Sequence, residues 1–190
     1  MIKYRTRLFY KDLSQVVDGN GMAVITLTDQ GEKRALIVVC DTMMKDQMQL
    51  RTVETSSCKK LLPEVMASVL HDLVGIGRFE IEIYGIVDGE YQTVLTDVLD
   101  QTQFPIRLSD AVLLSRVGDI PIYIANELML RQSVAYDRRP DGRMAIPINV
   151  LSKKRLEEEL DKAVASENYR LASQIKDELN RRQDSNKDKQ

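Results

Sequence analysis

The side chains of this sequence that could carry chemistry are mostly carboxylates. Hydrolysis of a phosphodiester with a hard divalent cation such as Mg²⁺ or Mn²⁺ needs several oxygen ligands gathered at one point. Asp41, Glu54, Glu64, Asp72, Asp110 and Asp119 are the candidates, and no spacing among them fixes a site. Asp110 also has a plainer account: an acid in the first turn of a helix is stabilised by the macrodipole, typically by ~0.3–1 kcal/mol, with no catalytic duty. There is 1 histidine, His71, and no tryptophan, so His-rich zinc sites and His-dependent triads have little to work with. His71-Asp72 falls inside a helical stretch and reads first as a structural or surface pair. The patterns GxGxxG, GxxxxGK[ST], HExxH and GxSxG do not occur, so dinucleotide and nucleotide-loop enzymes are poor fits. The 2 cysteines, Cys40 and Cys58, lie outside any CxxC spacing, as ordinary thiols of a reducing compartment would; a disulfide between them stays open.

The hydropathy pattern lays out the elements that must hold these groups. In Ile2-Lys3-Tyr4-Arg5-Thr6-Arg7-Leu8, period-2 alternation puts Lys3, Arg5 and Arg7 on one strand face and Ile2, Tyr4 and Leu8 on the other. A solvated face is the plainer reading of those cations, and a phosphate-steering stripe the alternative. Asp18-Gly19-Asn20-Gly21 and Asp29-Gln30-Gly31-Glu32 are turn signals that bracket apolar runs at 22–27 and 34–40, giving an antiparallel meander. Residues 41–50 lack strand alternation. Over 61–74, apolar residues recur at Leu62, Val65, Met66, Val69, Leu70 and Leu73, the period of an amphipathic helix that Gly75 and Gly77 end. Phe79, Ile81 and Ile83 then alternate with Glu80, Glu82 and Tyr84, and Asp88-Gly89 turns the chain back through Tyr91, Thr93 and Leu95 as a hairpin. A short extended piece at 104–108 follows. Ser109 is placed to N-cap a helix over 110–117, and Pro121-Ile122-Tyr123-Ile124 reads as a buried strand before a helix around 127–134.

With 43% hydrophobic and 29% charged residues, the chain has the composition of a globular protein rather than a disordered one. Its longest strictly apolar run is Ala35 to Cys40 and its N-terminus alternates charge with bulk, so neither a membrane span nor a signal peptide is expected and the compartment reads as cytoplasmic. Net charge is −2; of 27 basic and 29 acidic residues, 10 and 9 fall from Ser152 onward, leaving 17 and 20 in the body. A slightly acidic body disfavours a generic high-affinity DNA or RNA binder, though not an enzyme that touches nucleic acid briefly.

The stretch from Tyr136 to Pro147 is rich in turn formers and charge and separates two compositions. Beyond it, Leu156, Leu160 and Val164, then Leu171, Ile175 and Leu179, recur every four residues, giving two short helices joined near Ser166-Glu167-Asn168, with Asn168 as an N-cap. Such a hairpin buries little against itself, so it is expected to seek a partner or a second copy, with Glu157–Glu159 and Arg181–Arg182 pairing at the rim of a homodimer. Residues 183–190 are polar and expected to be disordered.

Pro63-Glu64-Val65-Met66, the Asp88-Gly89 turn, Pro105-Ile106-Arg107-Leu108-Ser109-Asp110-Ala111-Val112, and Pro121-Ile122-Tyr123 with Glu127 together resemble the bifunctional nuclease domain family. The likeness runs without a gap from Ser109 to Tyr123. It departs from the family pattern at Met66-Ala67, where His-Asp is usual, at Pro105 in place of an acid, and at Leu108 in place of Pro. Arg107, Ser109 and Asp110 remain. His71, five residues past Met66, would face another side of a helix at 100° per residue. Leu156-Glu157-Glu158-Glu159-Leu160, Ala163, Asn168-Tyr169, Ala172, Ile175 and Lys176-Asp177 are similar to the UVR motif, the helical hairpin through which excinuclease subunits B and C interact.

The expectations are therefore an α+β fold, a mixed and mainly antiparallel sheet with packed helices plus a C-terminal α-helical hairpin. Residues 1–135 form the nuclease-like domain, 136–151 a linker, 152–182 the hairpin and 183–190 the tail. The resemblance implies metal-assisted hydrolysis of DNA or RNA, with Arg107, Ser109 and Asp110 as site residues, Arg107 clamping phosphate and Asp110 holding Mg or Mn. The alternative is a catalytically degenerate adaptor that acts through the hairpin. In either case a homo-oligomer is expected.

Overall fold

The structure, a computed structural model, describes residues 4–15, 22–53, 57–136 and 147–187. The expected turn at 18–21, Ile2 and Lys3, Glu54 and most of the expected linker lie outside those residues. Three strands open the chain: β1 (Arg5–Gln15), β2 (Ala23–Asp29) and β3 (Arg34–Cys40), paired antiparallel in the expected meander. β2 is buried from Ala23 to Thr28, which is why its sequence reads as a continuous apolar run rather than an alternation. In β1, Leu8 is buried while Arg5 and Arg7 are exposed, as period-2 reasoning requires. Tyr4 departs from that expectation: it precedes the strand and is exposed rather than sharing the Leu8 face. The Arg5 guanidinium lies over the Tyr123 ring at 4.0 Å and pairs with Glu80, so this cation is already neutralised within the domain.

Next come α1 (Thr42–Val53), a single 3₁₀ turn at Ser57–Lys60, and α2 (Leu62–Val69), which opens at Pro63 and passes into one π-turn at Leu70–Val74. Gly75 stops it at φ +90°, a conformation that side-chain-bearing residues resist. The helical period expected over 61–74 is present, but it does not point inward. Only Ala67 of α2 is buried, and the apolar stripe faces out.

β4 (Phe79–Val87) buries Phe79, Ile81 and Ile83, and β5 (Glu90–Asp97) returns through Asp88 and Gly89 at φ 49° and 82°, the two positive values of a type I′ hairpin. After β6 (Gln103–Pro105) come α3 (Leu108–Gly118), β7 (Ile122–Ala125), α4 (Asn126–Gln132) and β8 (Val134–Ala135). α4 ends earlier than expected, and Arg34 satisfies that end by donating to the carbonyls of Leu130 and Ser133 at 3.2 and 2.8 Å. The strands form one sheet of 8 in the order β6-β5-β4-β7-β1-β2-β3-β8, with β4 and β7 parallel. Beside the sheet residues Ile25, Ile37, Ile83 and Ile124, the core takes Met48 from α1 and Val112 from α3. This is the expected α+β class.

The chain divides into two compact units, Met1–Gly85 with Tyr91–Met144, and Ile86–Glu90 with Ala145–Gln190. The second unit is built on α5 (Lys153–Ala165) and α6 (Tyr169–Lys187). Both helices are capped by side chains: Ser152 accepts from the Arg155 N–H, and Asn168, as expected, accepts from the Leu171 N–H at 3.3 Å. The buried seam is Leu156, Ala163, Ala172 and Ile175. Val164, expected in the stripe, is exposed instead; Ala163 takes the inner position, and a small residue there lets the helices approach beside their tight turn. α6 runs on to Lys187, into the segment expected to be disordered from Gln183, and Arg182 helps hold it by donating to Glu178 one turn back and to the carbonyls of Leu151 and Asn149. Four of the charges expected at a dimer rim have partners within the chain: Glu158 with Arg155, Glu159 with Lys162, and Arg181 and Arg182 with Glu178.

Candidate functional site

Cys40 ends β3 inside the core, and Asp41 stands at the junction with α1. Its carboxylate accepts the N–H of Met44 at 2.7 Å, satisfying one of the free donors of the first turn. At the far end of the same cluster, Arg107 leaves β6 in an extended conformation and is the N-cap residue of α3. Asp110 follows in that helix's first turn, where the macrodipole favours an anion. The Arg107 fork joins the two acids: Nε and Nη2 donate to Asp110 at 2.8 and 3.2 Å, and Nη1 donates to Asp41 at 3.0 Å. All three side chains are about half-exposed.

The electrostatics follow from this geometry. The hydrogen bond to Asp110, with that to Asp41, holds the Arg107 guanidinium charge more firmly than usual. The Met44 N–H, and after it Arg107, keep Asp41 below the usual carboxylate range. Burial, with the nearby Asp41 charge, pushes the Cys40 thiol up to about 11, so it is neutral and unreactive at physiological pH.

Of the three expected site residues, Arg107 and Asp110 are therefore together. Ser109 is not the N-cap: α3 begins two residues earlier than expected, at Leu108, and Ser109 sits buried at 4% exposure within the first turn. A serine ahead of an apolar run is the commonest N-cap signal, but burial of Leu108 fixes the start here. Asp41 joins the site from 66 positions upstream, a partnership that no local spacing could signal. The other candidate acids among the described residues are used elsewhere. Glu64 takes a bidentate bond from the buried Arg51 at 2.6 and 2.7 Å, Asp72 pairs with the adjacent His71, and Asp119 ends α3 in the left-handed region.

Among the described residues, no three of His, Cys, Asp or Glu gather where they could hold a metal ion. Asp41 and Asp110 do not fit Mg²⁺ or Mn²⁺ as they stand. A hard cation seeks several free oxygen donors, whereas both acids are already bonded to one guanidinium, which occupies the place between them.

Residues 152–184 match the UvrB/uvrC motif, covering α5 and most of α6. No match to a curated protein was found. Residues 25–137 match the Bifunctional nuclease domain, a span that holds Asp41, Arg107 and Asp110 and covers more than half of the 190 residues. The chain belongs to the bifunctional nuclease domain family.

Proposed function

We propose that this chain is a nuclease-fold adaptor, in which the α+β domain serves as a scaffold and the α5–α6 hairpin recruits a protein partner. The observation that carries this reading is the Arg107 bridge. A phosphate clamp needs a guanidinium fork with free donors, and a metal site needs carboxylates with free oxygens. Here three N–H donors of the fork and oxygens of both acids are engaged with one another, and the product is a brace between the first turns of α1 and α3. On the hairpin, Val164 and Tyr169 near the α5–α6 turn offer apolar surface to a partner. A cytoplasmic setting suits a chain whose two cysteines are both buried.

A second reading, hydrolysis of DNA or RNA phosphodiesters with Mg²⁺ or Mn²⁺, is favoured by one specific observation: Asp41, Arg107 and Asp110 meet at a surface that solvent reaches. One assay separates the two. Purified full-length protein is incubated with single-stranded RNA and with plasmid DNA, with Mg²⁺, with Mn²⁺ and with EDTA, beside Asp110→Ala. The adaptor reading expects no cleavage above the Asp110→Ala background under any condition. Metal-dependent cleavage that EDTA and Asp110→Ala both abolish would replace it with the nuclease reading.

A further inference from the structure

α2 is an amphipathic helix mounted the wrong way round. A surface helix ordinarily turns its apolar stripe to the core and its polar side to water. Here the side turned to the domain carries Ala67, 7% exposed, close to Gly118 of α3: a Cβ built on that glycine would lie 3.4 Å from the Ala67 Cβ. Leu62, Val65, Met66 and Val69 fall within about 100° of the helical wheel, and they are 74%, 43%, 43% and 43% exposed. Leu73, 78% exposed, continues the stripe through the π-turn, a helix form that recurs at functional positions.

We propose that this face is where two copies of the chain associate, with the α2 helices packed antiparallel across a two-fold axis. Two observations choose a second copy as the occupant. The first is area. The stripe exposes apolar surface on the order of 500 Å², at the upper end for a single patch on a monomer and more than half of the roughly 800 Å² that each partner gives to a standard interface. The second is charge. Exposed Lys59 and Lys60 lead into the helix, and exposed Asp72, bonded to His71, stands at its far end. Antiparallel packing brings the lysines of one copy to Asp72 of the other at both rims, whereas parallel packing sets like charge against like. A two-fold axis also makes the contact self-complementary and closed. A lipid surface fits less well, because the stripe has no aromatic anchor and one rim is acidic.

Sedimentation equilibrium on the full chain tests the proposal. The expected species is a dimer of the 21.7 kDa chain. Leu62→Glu with Leu73→Glu, both at exposed positions and so compatible with the fold, should weaken association at least about tenfold with unchanged circular dichroism. Asp72→Lys alone, and Lys59→Glu with Lys60→Glu alone, should each weaken it, and the three charge reversals together should restore most of the loss. A monomeric wild type at high micromolar concentration overturns the proposal, as does a dimer indifferent to Leu62→Glu/Leu73→Glu. Failure of the combined reversals to restore the dimer overturns the antiparallel arrangement. Monomeric protein that co-sediments with phosphatidylserine vesicles, and loses this in the double variant, assigns the face to lipid.

Discussion

Asp41 does two jobs with one carboxylate, capping α1 and pairing with Arg107, and both favour its charged form. Its folded-state pKa is depressed, so its stabilising contribution is present above the unfolded value, near 4, and is lost as pH falls through the lower folded value. Asp41→Ala should cost about 1 kcal/mol at neutral pH, mainly through the lost cap. Urea denaturation of both proteins between pH 7 and pH 2.5 should show that difference narrowing only below about pH 4. A gap constant down to pH 2.5 would remove charge from the account. Arg51 and Glu64 set a second test. Arg51 is buried at 9% exposure and its fork is filled by Glu64 and Gln47, so Glu64→Ala leaves a cation without its counter-charge and should destabilise by about 3 kcal/mol. Arg51→Met with Glu64→Leu should recover most of that loss in the same urea titration, because the cost lies in the stranded charge. At this scale the sequence was only partly legible. Arg107 and Asp110 lie three residues apart on one helix start and could be paired by inspection. Asp41 and Arg51 find their partners through the tertiary fold, and nothing in the local pattern reports it.

Among the elements, those with a strict period were legible. Phe79, Ile81 and Ile83 alternate, a strand has period 2, and all three are buried. Asp88-Gly89 signalled its own turn, because few dipeptides accept two positive φ values in succession. For α2 the period was equally clear and yet the side it faces was not. Periodicity reports that a helix has an apolar face, and only packing decides what that face meets. The hairpin repeats the lesson in milder form: apolar residues every four positions located α5 and α6, but Ala163 and Ala172 set the seam because small side chains permit the closest approach. Gly89 carries the prediction at this scale. Its φ is 82°, and a Cβ there would lie 2.4 Å from the Leu151 carbonyl oxygen, within the second unit. Gly89→Ala should therefore cost about 1–2 kcal/mol from the backbone alone, and the contact with a main-chain atom adds to it. The urea midpoint should drop with an unchanged slope; a midpoint equal to wild type would mean that the turn relaxes.

At the scale of the molecule, both edges of the sheet are short. β6 has 3 residues and ends on Pro105, and β8 has 2 residues. Brief edges, one of them ending on proline, give a second chain little backbone to pair with, which agrees with the helical contacts proposed for α2 and for the hairpin. No helix among the described residues is long and apolar enough to cross a membrane. The strand order has a separate consequence, in time rather than in space. β1 is the first of the described strands, yet it lies inside the sheet between β2 and β7, and its bond to the start of α4 joins Thr6 to Asn126, 120 positions apart. At roughly 5–20 residues per second of synthesis, the first strand waits on the order of 10 s for that neighbour to be made. Until then one edge of the β1–β2–β3 meander stands open, and β4 lacks the parallel strand that joins it to that meander. The interval in which this chain is most exposed to mispairing is therefore set by the ribosome, and it closes only when Ile122–Ala125 and, for the β3 edge, Val134–Ala135 emerge.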